Sequence, residues 1–148
     1  MIQVFKPKLS ISDVLSVLIN LFKNNISGTS PVVSEFEQKL ANIFGREHVT
    51  ALSNGSVALD VAFQLIDLQE DDEVILPSFT IVSCLSAVIR SKAKPVFCDV
   101  KPDSWNMSLE QVMEKVTKKT KAILMVHIYG LPSEAKEIAK FCKSRGII

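Results

Sequence analysis

The sequence predicts an α/β fold, a three-layer α/β/α arrangement on a sheet that is largely parallel. Three observations predict it. From His48 onward, short apolar runs alternate with segments of helical periodicity. Two of the runs, Val74-Ile75-Leu76 and Ile123-Leu124-Met125-Val126, are continuously apolar, as strands covered on both faces are. Between the run at 49–52 and the next amphipathic stretch, Ser53-Asn54-Gly55-Ser56 turns a strand directly into a helix.

In chain order, Ser12 to Lys23 reads as a first amphipathic helix, with Val14, Val17, Leu18 and Leu21 on one face. A polar loop containing Gly28 follows. Pro31 then suits the first position of a second helix, with Ser30 as its cap. Val33, Phe36, Leu40 and Ile43 form its expected buried stripe. Strands are expected at about 48–52, 73–76, 95–100 and 121–128, all four in one sheet. Helices are expected at about 56–67, 80–91, 109–117 and 134–145, on both faces of it. Ser108 with Gln111 forms a capping box, and Gly146 closes the last helix. Ile147 and Ile148 then read as the start of a further buried strand, which gives the expectation that the sequence is part of a larger α/β domain.

Composition narrows the function. The chain has 148 residues, 17 basic and 16 acidic, for a net charge of +1. That balance gives no electrostatic reason to expect nucleic acid or an anionic membrane as partner. The cluster Lys115, Lys118, Lys119 and Lys121 reads as a solvated helix end. Cys84, Cys98 and Cys142 are far apart and set among apolar residues, which points to reduced core thiols, no metal site and a cytoplasmic setting. No apolar run approaches the ~18 residues of a membrane span. Hydrophobic residues make up 47% of the chain, with a mean hydropathy of +0.26. That level implies surfaces that expect a covering.

The segment Ser53 to Asp60 carries the chemistry. A strand that turns into a helix through Asn-Gly leaves backbone N–H groups at the helix N-terminus, where they and the helix dipole favour a phosphate. Gly55 is expected to ease the turn, and the Ser56 hydroxyl to add a donor. An ordinary capped turn has the same pattern, so this segment alone leaves both readings open.

Several segments in a fixed order carry a resemblance. They are Ile26-Ser27-Gly28 through Glu35-Phe36-Glu37, then Ser53-Asn54-Gly55-Ser56-Val57-Ala58-Leu59, then Asp72-Glu73-Val74-Ile75-Leu76-Pro77-Ser78-Phe79-Thr80. Pro95-Val96-Phe97-Cys98-Asp99-Val100 and Val126-His127-Ile128-Tyr129-Gly130-Leu131-Pro132 complete the set. From Ile26 onward the chain resembles the N-terminal part of the DegT/StrS sugar aminotransferases, pyridoxal-phosphate enzymes of the aspartate-aminotransferase fold (fold type I). Asp103-Ser104-Trp105-Asn106-Met107 looks most like the perosamine-synthase branch, which acts on GDP-4-keto-6-deoxymannose.

The resemblance implies two parts, residues 1–30 as an N-terminal helix and loop and residues 31–148 as a partial cofactor-binding large domain. It implies that the amides of Gly55, Ser56 and Val57 hold the phosphate of pyridoxal 5'-phosphate. Ile81 falls where the family places an aromatic side chain on the pyridine ring. Isoleucine covers a ring by dispersion but lacks the aromatic face. Thr80 leads into the site, and His127 falls near the cofactor's edge, with a hydrogen-bonded core histidine as the competing reading. The aspartate that pairs with the pyridine nitrogen and the Schiff-base lysine are expected beyond Ile148. No lysine here lies within an apolar run, where a nucleophilic amine would need to be. The chain by itself is therefore expected to be inactive.

For the intact enzyme the resemblance implies transamination of a nucleotide sugar for cell-surface polysaccharide synthesis, with glutamate as amino donor, and a homodimer. Two other classes remain open on the residues: a phosphate- or nucleotide-binding α/β module without catalysis, and a purely structural fragment. Neither Gly-x-Gly-x-x-Gly nor Gly-x-x-x-x-Gly-Lys-Ser/Thr occurs, which weighs against dinucleotide or nucleoside-triphosphate binding.

Overall fold

The computed structural model describes residues 6–148. The first five residues of the expected 1–30 segment lie outside them. The chain divides into two compact units, one running up to Ala51 and the other from Leu52 to Ile148. The expected boundary at 30/31 lies within the first of these units.

The first unit contains helices α1 (Ile11–Phe22) and α2 (Pro31–Phe44). Helix α1 starts at a capping box: the Ser10 hydroxyl accepts from Asp13 N–H, and the Asp13 carboxylate accepts from Ser10 N–H. Ser30 holds the cap position of α2, but its hydroxyl makes no cap bond. The amide it would serve, Val33 N–H, goes instead to the Ser30 carbonyl at 3.0 Å. The expected buried stripe of α2 is half right. Val33 and Leu40 are half-buried, while Phe36 and Ile43 are exposed. Among its described residues this unit forms no strand, and no apolar residue there is fully buried. The strand expected at 48–52 does not form. Ala51 N–H bonds to the Glu37 carboxylate at 2.8 Å, so no ladder partner holds this segment extended.

The second unit carries the sheet. Its elements are α3 (Gly55–Ile66), β1 (Glu73–Pro77), α4 (Val82–Arg90), β2 (Lys94–Cys98), α5 (Leu109–Lys115), β3 (Thr120–Ile123) and α6 (Ala135–Arg145), with a 3-10 turn at Ile128–Gly130. Three strands, not four, form one sheet in the order β2-β1-β3, and both pairings are parallel. The expected 121–128 strand stops early. After Leu124 N–H bonds to the Ile75 carbonyl, the chain leaves the ladder.

All five residues of β1 are buried, and they alternate between two cores. Ile75 packs with Cys98, Met107, Val112, Ile138 and Cys142, from β2 and the side of α5 and α6. Val74 packs with Phe63, Ala87, Val88 and Ala122, from the side of α3 and α4. The period of two along a strand makes this division unavoidable. Two helices therefore cover each face, which is the three-layer arrangement expected. The capping box at Ser108 and the left-handed cap at Gly146 (φ 68°) both form. Ile148 donates to the Lys121 carbonyl at 3.0 Å and accepts from Ile123 N–H at 2.8 Å, which is the bonding of a parallel neighbour to β3.

Ile138 is fully buried where α6 meets the sheet. Ile138→Ala is expected to lower stability by about 2–5 kcal/mol. Urea denaturation followed by circular dichroism measures this, and a loss under 1 kcal/mol would show that the α6 layer does not hold the fold.

Candidate functional site

Chain direction out of each strand decides where a site can form. β1 leads into α4 on one face, while β2 and β3 lead into α5 and α6 on the other. The loops part at the carboxyl end of β1, and such a parting is where open α/β sheets bind ligands.

Two helices begin at that edge. Ser56 Oγ of α3 donates to Ser83 Oγ of α4 at 2.9 Å. Further along, Arg90 Nε and Nη2 reach Asp60 Oδ1 at 2.9 and 2.6 Å. The two contacts fix α3 and α4 side by side in the same direction, so their positive N-terminal ends lie together. At α3, Asn54 Oδ1 accepts from Val57 N–H at 3.0 Å. Among the described residues, the amides of Gly55 and Ser56 have no acceptor. At α4 the cap position holds Ile81, whose side chain cannot accept, and the Val82 and Ser83 amides are also without an acceptor among the described residues.

This geometry revises three expectations. The Val57 amide is already committed to Asn54, which leaves Gly55 and Ser56 as the free donors of α3. Gly55 adopts no left-handed conformation, so the turn does not need a glycine. Its value is space: a Cβ there meets nothing within 4 Å, and a ligand can approach the backbone closely. The Ser56 hydroxyl donates to Ser83, so the Ser83 hydroxyl proton is the one left to point outward. Ser83 and the second helix end were missed in the sequence. The available signal was an apolar residue, Ile81, where a capping side chain is usual.

Ile81 is 67% exposed beside these donors. Thr80 is half-buried and directs its hydroxyl to Cys84 Sγ at 3.3 Å, away from any ligand role as donor. His127 lies on the loop after β3 and is exposed, so the core-histidine reading does not hold. Its Nδ1 accepts from Ser133 N–H at 3.1 Å, which places the proton of the neutral ring on Nε2. No bond among the described residues joins His127 to Ser56, Ile81 or Ser83.

Free amides, a close backbone approach and an exposed apolar side chain fit a phosphate that bears an aromatic ring. None of the lysines is buried. All are exposed except Lys101, which pairs with Glu134, and that contact raises its pKa above the usual 10.5. A nucleophilic amine needs the opposite shift. The three cysteines are buried free thiols. Burial pushes Cys98 up to about 11. No helix among the described residues is long and apolar enough to cross a membrane.

Glu134 braces the loop between β2 and α5. It accepts Leu109 N–H at 2.9 Å and pairs with Lys101, and these contacts, in that order, hold its pKa below the usual 4.5. A lowered carboxylate pKa stabilises the fold above the unfolded-state value, and the effect is lost as pH falls through the folded-state value. Glu134→Gln is expected to lower the Tm at neutral pH, with the gap to the parent chain closing on acidification below the lowered value. A gap independent of pH would remove the ionised carboxylate from the argument.

The DegT/DnrJ/EryC1/StrS aminotransferase family matches residues 11–148. The chain is 37% identical, over its full length, to dTDP-4-dehydro-2,3,6-trideoxy-D-glucose 4-aminotransferase of Saccharopolyspora spinosa, and covers 39% of that protein. It is 35% identical over 99% of its length to GDP-perosamine synthase of Escherichia coli O157:H7, and covers 40% of it. Among solved structures, NtdA of Bacillus subtilis with bound cofactor PMP superposes with a TM-score of 0.84 at 26% identity, over 93% of this chain and 32% of that one. The chain thus spans about two fifths of the curated relatives it matches.

Proposed function

The chain belongs to the DegT/DnrJ/EryC1/StrS aminotransferase family, and from that premise we propose that it forms part of a pyridoxal-phosphate-dependent nucleotide-sugar aminotransferase. One observation carries the reading: the free N-termini of α3 and α4, tied by Ser56 and Ser83, at the carboxyl end of β1. The Gly55 and Ser56 amides bind the cofactor phosphate, and the two helix dipoles add to the attraction. Ile81 covers the ring on one side. When bound, the cofactor supplies the electron sink for moving an amino group. This chain's residues bind, orient and shield it.

The substrate we propose is a 4-keto-6-deoxy nucleotide sugar, GDP-4-keto-6-deoxymannose or one like it, with glutamate as amino donor and cell-surface polysaccharide as the destination. The likeness to a GDP-perosamine synthase supports it. The exposed lysines support the further reading that the chain alone does not turn over. The three buried free thiols support a cytoplasmic setting. Helix α1 supports self-association, since Leu15, Val17, Leu18 and Phe22 are all exposed on it.

Titration calorimetry with pyridoxal phosphate tests the site. Gly55→Val places a branched side chain in the open approach, where its Cβ meets no neighbour within 4 Å. It is expected to weaken binding at least about tenfold, as loss of a charged hydrogen bond does. Ile81→Tyr is expected to tighten binding about threefold or more by adding an aromatic face. Unchanged affinity in both folded variants would move the cofactor elsewhere. Equilibrium sedimentation checks the assembly, and a clean monomer at micromolar concentration would refute self-association.

A further inference from the structure

We propose that Phe79, Trp105 and Tyr129 form the surface on which the heteroaromatic base of the nucleotide-linked substrate stacks, and that Asn106 positions two of the three rings. The inference rests on the nucleotide-sugar reading and adds where the base goes. Phe79 follows β1 on the loop that carries Thr80 and Ile81, Trp105 follows β2, and Tyr129 follows β3. The rings are adjacent in sequence of contact. Phe79 and Trp105 have centroids 5.2 Å apart, and Trp105 and Tyr129 6.1 Å apart, both edge-on at 61°. Phe79 stands two residues before Ile81, which covers the cofactor ring in the proposed site, and ring contacts join Trp105 and Tyr129 to it.

The rings are not packed into the core. Phe79 and Trp105 are each 46% exposed and Tyr129 is 83% exposed. Two of them sit on left-handed backbone, Trp105 at φ 57° and Tyr129 at φ 49°, a conformation that residues with a Cβ disfavour. Strain of this kind persists only where the surroundings enforce it.

Asn106 enforces it. It is 3% exposed, its Nδ2 donates to the Leu131 carbonyl at 2.9 Å, and its Oδ1 accepts Ile128 N–H at 3.1 Å. Those two bonds span the turn that bears Tyr129, while Asn106 itself adjoins Trp105. Its own carbonyl accepts Lys101 N–H, and Trp105 N–H closes back on the Lys101 carbonyl at 2.8 Å. The buried side-chain amide thus ties the Tyr129 turn to the Trp105 loop, which backbone bonds close. The local charge suits a neutral ring and not a phosphate: Lys101 is paired with Glu134, and Asp103 lies on the same loop. Aromatic side chains at such a surface bind bases by stacking.

Trp105 is the only tryptophan in the chain, so its emission reports on the surface directly. GDP, with dTDP in parallel, is titrated into the full chain, and pyridoxal-phosphate affinity is measured on separate samples. Saturable quenching by a nucleotide but not by ribose 5-phosphate is expected. Tyr129→Asn removes the exposed ring yet keeps a residue suited to left-handed backbone, and is expected to weaken nucleotide binding about tenfold. Asn106→Ala is expected to do the same while leaving pyridoxal-phosphate affinity within about twofold.

Loss of both affinities in Asn106→Ala would make the residue merely structural and overturn its positioning role. Should Asn106→Ala not fold, Tyr129→Asn decides the stacking surface. Quenching untouched by Tyr129→Asn, or no quenching at millimolar nucleotide with normal pyridoxal-phosphate binding, would overturn that surface alone. Failure of both ligands would overturn the functional reading with it.

Discussion

Burial of β1 on both faces is the constraint on which the rest depends. A five-residue strand with no exposed position must find cover above and below, and must place its backbone groups between two neighbours. Val74 and Ile75 point in opposite directions, so one core cannot exist without the other. Chain reversal follows from the same demand. Parallel neighbours require crossovers, and two-sided cover requires that helices be shared between the faces. The parting of loops at Pro77 is the geometric result.

The site is built from groups that the fold leaves over. Helix ends always carry unsatisfied amides, and here two ends meet because Ser56 bonds Ser83 and Asp60 holds Arg90. The surface ion pair contributes little energy, about 0–1 kcal/mol, but it sets direction. What favours an anion is therefore not a charged side chain. It is backbone polarity concentrated by packing, with Gly55 keeping the approach open.

The loops at the same edge show a different economy. Lys101, Asn106 and Glu134 are spent on bracing, and through them the chain holds Trp105 and Tyr129 in conformations it would otherwise avoid. A satisfied buried amide such as Asn106 fixes geometry at small net cost, because each of its bonds replaces one lost to water.

The sequence by itself determined the layer order, the parallel sheet, the helix ends at Ser108 and Gly146, and the helix start at Gly55. These rest on local rules: apolar period, capping chemistry and the continuous apolar runs of a strand covered twice. It also determined the family through motif order. Only the tertiary structure decided that 48–52 is no strand, that Phe36 and Ile43 stay exposed, that Val57 N–H is taken by Asn54, and that Ser83 and Asn106 matter. Each of these depends on a partner distant in the chain, or on the lack of one. A strand exists through its neighbour, a buried stripe through what covers it, and a free amide through the bonds that the surrounding groups do not make. Local pattern names the groups available, and only packing assigns their partners.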